Sequence, residues 1–255
     1  MSLATKAIRR AVLLGRLVVY RAMAVFGHQD YVRFIILTRS RTGSNLLLSF
    51  LNAHPEIFAE GEIFSRLQGR NPLARLKSAF GKQPRHIRAK GFKIFYYHPL
   101  DGKAEALWDE LTAREDIRVI HLTRQNILRT LLSRKIAGMQ DTWTGTRFDA
   151  VNTKSKRVQF TVQELQEGFS QTRSWESAAA ARFGKHPVLH VSYEELIAKP
   201  RETLASLFAF LRVRNEEPRT GLRRQNPESL QALILNYDKL KMAFEATPWE
   251  AFFED

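Results

Sequence analysis

Short apolar runs alternate along this chain with segments of helical period, and that alternation restricts the fold more than any other feature. "VRFIILT" (32–38), "AKGFKIFYY" (89–97), "IRVIHLT" (117–123) and "PVLHVSY" (187–193) are rich in β-branched and aromatic residues and too short for buried helices. After them, 45–53, 104–113, 126–139, 161–183 and 200–211 read as helices, the last opening on Pro200. Strands separated by helices cannot pair through tight hairpins. They pair in parallel, and the crossovers cover both faces of the sheet. The expected class is α/β, in one large domain, since 255 residues suffice for a single core. The polar, aperiodic stretch 139–157 reads as a lid over a site or as a solvated loop.

In an open parallel sheet, ligands sit beyond the carboxyl ends of the strands. The first strand ends at Thr38 and runs into "RSRTGSN" (39–45), directly before a helix. A strand, a small polar turn and a helix aim several backbone N–H groups and a positive helix end at one point, which suits an anion. The plain alternative is an ordinary turn in which Thr42 or Ser44 caps the helix. Arg39 and Arg41 beside the cap favour the anion, because guanidinium forks hold oxyanions by paired hydrogen bonds. The chain lacks G-x-x-x-x-G-K-[ST], so a nucleotide kinase of the P-loop class is disfavoured.

Charge points the same way. Lys and Arg number 40 against 26 Asp and Glu, a net charge of +14, which favours an anionic partner: nucleotide, nucleic acid, membrane surface or acidic substrate. The absence of cysteine excludes disulfides, thiolate metal sites and Cys nucleophiles. No His spacing asks for a metal. From Ile63 to Leu100 there is no acidic residue, while Arg66, Arg70, Arg75, Lys77, Lys82, Arg85, Arg88, Lys90 and Lys93 fall within the stretch. This is either a rim that steers an anion inward or a solvated basic face.

Residues 1–30 form a basic extension ahead of a domain at 31–255. Lys6, Arg9, Arg10, Arg16 and Arg21 fall within an arc of about 140° on a helix, leaving an apolar remainder. Arg16 and Arg21 interrupt the apolar run and no small-residue cleavage site follows, so neither a membrane span nor a cleaved export signal is expected. The helix can lie on an anionic membrane face, pack on its own domain, or pair with a second copy as a homodimer. The chain is expected in the cytoplasm, at the inner membrane face if the helix attaches there.

The stretch "SRTGSNLLLSFLNAHPEIFAEGEIF" (40–64) resembles the 5′-phosphosulfate loop of sulfotransferases that use 3′-phosphoadenosine 5′-phosphosulfate (PAPS). It is most similar to the bacterial nodulation-factor and trehalose enzymes, and also resembles the tyrosylprotein sulfotransferases. Arg41, Thr42, Gly43, Ser44, Asn45 and Leu46 match the loop, with Asn45 where Thr or Ser is commoner. Ala53, His54 and Pro55 match a following turn, and Gly61 and Glu62 a final pair. "HLTRQNILRTLLS" (121–133) is similar to the element that holds the 3′-phosphate, with Arg124 after the strand and Ser133 on the helix, nine residues later rather than eight. Residues 188–213 resemble the strand-turn-helix that follows, and 222–240 a later loop in which Arg223, Arg224 and Gln225 are candidate 3′-phosphate contacts. The resemblance spans roughly 32–250 and implies a P-loop-like α/β fold.

It also implies a reaction: transfer of a sulfuryl group from PAPS to a hydroxyl of a carbohydrate or glycolipid, releasing 3′,5′-adenosine bisphosphate without a metal. Arg41 would stabilise the leaving phosphate, with Arg39, Thr42, Gly43, Ser44, Asn45, Arg124 and Ser133 holding the donor. Glu62 is nominated as the base that takes the acceptor proton. Glu60 is the reserve, because two residues apart on a strand the two carboxylates share a face; His54 ranks lower, before proline in a structural turn. The competing classes are a nucleic-acid-binding module, which leaves the Gly-Ser turn and the Gly-Glu pair unexplained, and a peripheral membrane protein without catalysis.

Overall fold

The computed structural model describes residues 27–140, 157–217, 220 and 228–254. At its centre, β1 (Val32–Thr38), β2 (Ile57–Glu60), β3 (Ala89–Phe95), β4 (Arg118–Thr123) and β5 (Val188–Ser192) form one sheet in the order β2-β3-β1-β4-β5, with every neighbouring pair parallel. The α/β expectation holds. β1 and β3 approach so closely that a Cβ on Gly91 would lie 2.2 Å from the carbonyl oxygen of Phe34, which explains a glycine inside an apolar strand.

The helices are α1 (Ser44–Ala53), α2 (Pro72–Ala79), α3 (Glu105–Ala113), α4 (Ile127–Gln140), α5 (Val162–Arg182), α6 (Tyr193–Ala198), α7 (Pro200–Phe210), α8 (Leu230–Leu233) and α9 (Tyr237–Ala243), followed by a 3₁₀ turn at Glu250–Phe253. Alternation along the strands sends Ile35, Leu37, Phe92 and Ile94 to one face, against Leu76 of α2, Leu107 and Leu111 of α3 and Ala179 of α5. Phe34, Ile36, Ile120 and Leu122 go to the other, against Leu47 and Leu51 of α1, Leu196 of α6 and Leu207 of α7. A third cluster, with Leu128 and Leu132 of α4, Phe169 of α5, Phe244 and Phe253, ties the C-terminal segment to α4 and α5. Among the described residues no helix is long and apolar enough to cross a membrane.

The expected element boundaries move where local chemistry intervenes. β5 stops at Ser192 because Ser192 and Glu195 form a reciprocal capping box, so Tyr193 opens α6 instead of ending a strand. A second box, Thr161 with Glu164, starts α5. β2 and α2 have no counterpart in the periodicity, being too short to repeat; α2 is set instead by Asn71, whose side chain accepts the N–H groups of Leu73 and Ala74, and by Pro72 in the first turn. The basic helix expected at the start of the chain falls, up to residue 26, outside the described residues. So do 141–156 of the expected loop and Arg223, Arg224 and Gln225.

Candidate active site

The carboxyl ends of all five strands open into one cleft of about 790 Å³, lined by residues that immediately follow them: Arg41 and Gly43 to Asn45 after β1, Glu62 after β2, Tyr97 and His98 after β3, Arg124 after β4 and Tyr193 after β5. Ser133 and Arg134 of α4 complete the wall.

The turn after β1 is braced from inside. Thr38 and Thr42 share a 2.6 Å hydroxyl–hydroxyl contact, the Thr38 hydroxyl lies 2.6 Å from the Leu122 carbonyl, and Thr42 donates to the Arg39 carbonyl at 2.9 Å. Arg41 and Gly43 both take left-handed conformations, at φ 70° and 85°. The cap residue of α1 is Gly43, and no side chain caps the helix. Neither Thr42 nor Ser44 caps the helix, and its first residues line the cleft. Tyr193 packs so tightly on Gly43 that a Cβ there would lie 2.3 Å from Cδ2 of the ring.

Two cations converge on this turn. Arg41 Nε donates to Ser133 Oγ at 2.9 Å, and burial lowers the pKa of its guanidinium. Arg124 lies over the Tyr193 ring, 4.5 Å from its centroid, and donates to the Arg41 carbonyl at 3.3 Å. Its Nε stands 3.9 Å from a Glu194 oxygen.

On the opposite wall Glu62 meets a lysine. Lys93 Nζ lies 3.0 Å from Glu62 Oε1 and donates to Asn45 Oδ1 at 2.6 Å, with only 3% of its side chain exposed. Burial lowers the Lys93 pKa and Glu62 works against that shift. His98 accepts the Phe95 N–H at Nδ1, which leaves its proton on Nε2, 3.9 Å from Glu62 Oε2. Burial, only partly opposed by Glu62, pushes the His98 pKa down to about 4, so the ring is neutral at neutral pH.

Other expected site residues are placed elsewhere. Arg39 is buried and donates to Thr172 of α5, with its guanidinium 5.6 Å from the Trp175 ring centroid; it does not line the cleft. Thr42 is consumed inside the turn. Both ring nitrogens of His54 are engaged, by the Arg214 carbonyl at 2.9 Å and the Glu56 N–H at 3.0 Å. The shared face assumed for Glu60 and Glu62 is corrected: β2 ends at Glu60 and the chain turns at Gly61. Glu60 pairs with Lys90 at 2.8 Å, and Glu62 with Lys93, three residues on and so on the opposite face of β3. Of the basic stretch 63–100, Lys90 and Lys93 are therefore internal, and Arg66 reaches the cleft. Among the described residues no three His, Asp or Glu side chains gather as a metal site.

Sequence reasoning passed over Lys93, Tyr97, His98 and Tyr193 as site residues. Lys93 had a signal: β3 is buried at every position, and a lysine in such a strand must be paired inside.

A family model described as the sulfotransferase family matches residues 111–217. Nodulation protein H of Rhizobium tropici is 28% identical over 239 residues, covering 87% of this chain and 92% of that protein. Nodulation protein H of Rhizobium meliloti (strain 1021) is 25% identical over 236 residues, covering 87% and 94%. The crystal structure of a sulfotransferase from Alicyclobacillus acidocaldarius aligns with a TM-score of 0.48 and 19% identity, over 87% of this chain and 93% of that one.

Proposed function

We infer that this chain is a sulfotransferase similar to Nodulation protein H, taking PAPS as donor and a carbohydrate or glycolipid hydroxyl as acceptor. The observation that carries the donor is the convergence of Arg41, Ser133 and Arg124 on an uncapped helix end, in the same cleft as Glu62. PAPS is polyanionic, and backbone donors at a helix start together with two guanidinium groups match its phosphates.

Each part of the cleft has a role in this reaction. Gly43, Ser44 and Asn45 face the 5′-phosphosulfate through the backbone, and Arg124 with Ser133 takes the 3′-phosphate, joined by Arg223 and Arg224. The acceptor oxygen attacks sulfur in line; the new O–S bond forms as the S–O bond to the 5′-phosphate breaks. Glu62 receives the acceptor proton. Negative charge grows on the departing phosphate oxygen, where Arg41 and the α1 terminus stabilise it. Lys93, 3.0 Å from Glu62 Oε1, aims the carboxylate. Arg39 and Thr42 shape the turn from within. The resemblance of the 41–62 element to nodulation-factor and trehalose enzymes supports a sugar acceptor. The basic segment at the start of the chain, expected from its sequence to be amphipathic, would bring it to an anionic membrane face, where a glycolipid is presented.

Calorimetry with 3′,5′-adenosine bisphosphate, against AMP and ATP, tests the donor. Binding at about micromolar Kd that requires the 3′-phosphate is expected. Equal or absent binding of all three would return the basic charge to nucleic acid or membrane.

A further inference from the structure

A second groove, of about 1060 Å³, runs between α4 and α5 beside the first cleft. Arg134 lines both. So does an aromatic pair that crosses the divide: Trp175, in the groove, lies 5.0 Å from the ring of Tyr97, in the cleft. Tyr97 accepts the Ser40 N–H at 3.2 Å, and the next residue, His98, stands against Glu62. Trp175 thus touches Tyr97, which lines the same cleft as Glu62, the carboxylate assigned as base. The indole is held in place from the side of β1 by Arg39, which also bonds Thr172 on the same helix as Trp175.

We propose that this groove is the acceptor subsite and that its occupant is a saccharide, laid with a C–H face on Trp175 and one hydroxyl extended past Tyr97 to Glu62. The inference rests on the sulfotransferase reading. Three features select a neutral sugar. Trp175 is half-buried and so combines a fixed ring with an accessible surface. The exposed groups around it, Gln171, Ser174 and Glu167 with Arg134 opposite, mix donors and acceptors and carry both signs of charge, as a chain of hydroxyls requires and a polyanion does not. The groove also borders the transfer cleft, sharing Arg134 with it and touching it through the Trp175–Tyr97 contact, so a sugar held there lies beside the reacting site.

The test titrates protein loaded with 3′,5′-adenosine bisphosphate with cellotetraose, maltotetraose and N-acetylchitotetraose, by calorimetry. At least one should bind. Trp175→Ala should raise its Kd by about ten-fold or more, and Trp175→Phe should recover most of the loss. Ser174→Arg, on the exposed rim, should block the sugar without disturbing the core. Nucleotide Kd should be the same in every variant, which reports that the fold is intact. Equal saccharide affinity in wild type, Trp175→Ala and Ser174→Arg would overturn the proposal and assign the groove to packing within the chain. Failure of all three sugars to bind nucleotide-loaded protein would overturn it too, leaving the sulfotransferase reading standing; failure of the nucleotide itself would instead sink that reading.

Discussion

An ammonium group in the middle of a parallel sheet, 3% exposed, carries a desolvation penalty of several kcal/mol unless partners replace its water. Lys93 has two, Glu62 and Asn45, and both line the cleft. Because Asn45 sits in the first turn of α1 and Glu62 follows β2, this one cation ties the start of α1 to the candidate base. Asn45, which departs from the commoner Thr or Ser of the resembling loops, thus has a stated partner. The amide of Glu62→Gln keeps an oxygen for Lys93 but cannot accept a proton. Turnover should fall by about 100-fold or more, while 3′,5′-adenosine bisphosphate binds as before. Wild-type turnover in that variant would move the base elsewhere; lost nucleotide affinity would make Glu62 a structural partner of Lys93 only.

At the scale of elements, the site depends on α1 beginning without a side-chain cap and on α6 beginning one residue after β5 ends. Gly43 serves both: its φ of 85° turns the chain into α1, and its missing Cβ admits Tyr193, the first residue of α6, which in turn carries Arg124 on its ring. In Gly43→Ala the left-handed conformation costs about 1–2 kcal/mol, and the new methyl must displace an aromatic ring. Nucleotide affinity should drop by about ten-fold or more, with a lower urea midpoint, because Tyr193 and Arg124 shift together. Loss of stability at full affinity would separate the turn from the binding function.

Across the whole molecule, two buried histidines set the acid limit. Burial pushes both His98 and His121 down to about 4 from an ordinary value of 6.5, so between these values the unfolded chain takes up protons that the folded one refuses. Their contribution to stability is complete above pH 6.5 and is lost as pH falls towards 4, by up to about 1.4 kcal/mol per unit for each group. Glu164 and Glu195, held low by hydrogen bonds from Lys135 and from the Ser192 backbone, extend the loss below about 4.5. Urea midpoints measured from pH 7 to 4 should fall steadily, and His121→Asn should flatten the slope; a midpoint constant over that range would contradict the burial of these rings. What the sequence determined by itself was local: the period of each strand and helix, and a turn that gathers a glycine, hydroxyls and arginines within a few positions. The structure alone decided which distant groups meet. Lys93 takes Glu62 while Lys90 takes Glu60, Arg39 turns from the loop after β1 to Thr172 and Trp175, and Tyr97 of the cleft meets Trp175 of the groove. Those pairings join residues about 30 to 135 positions apart, and they follow from strand order and crossover packing, which no short window of sequence contains.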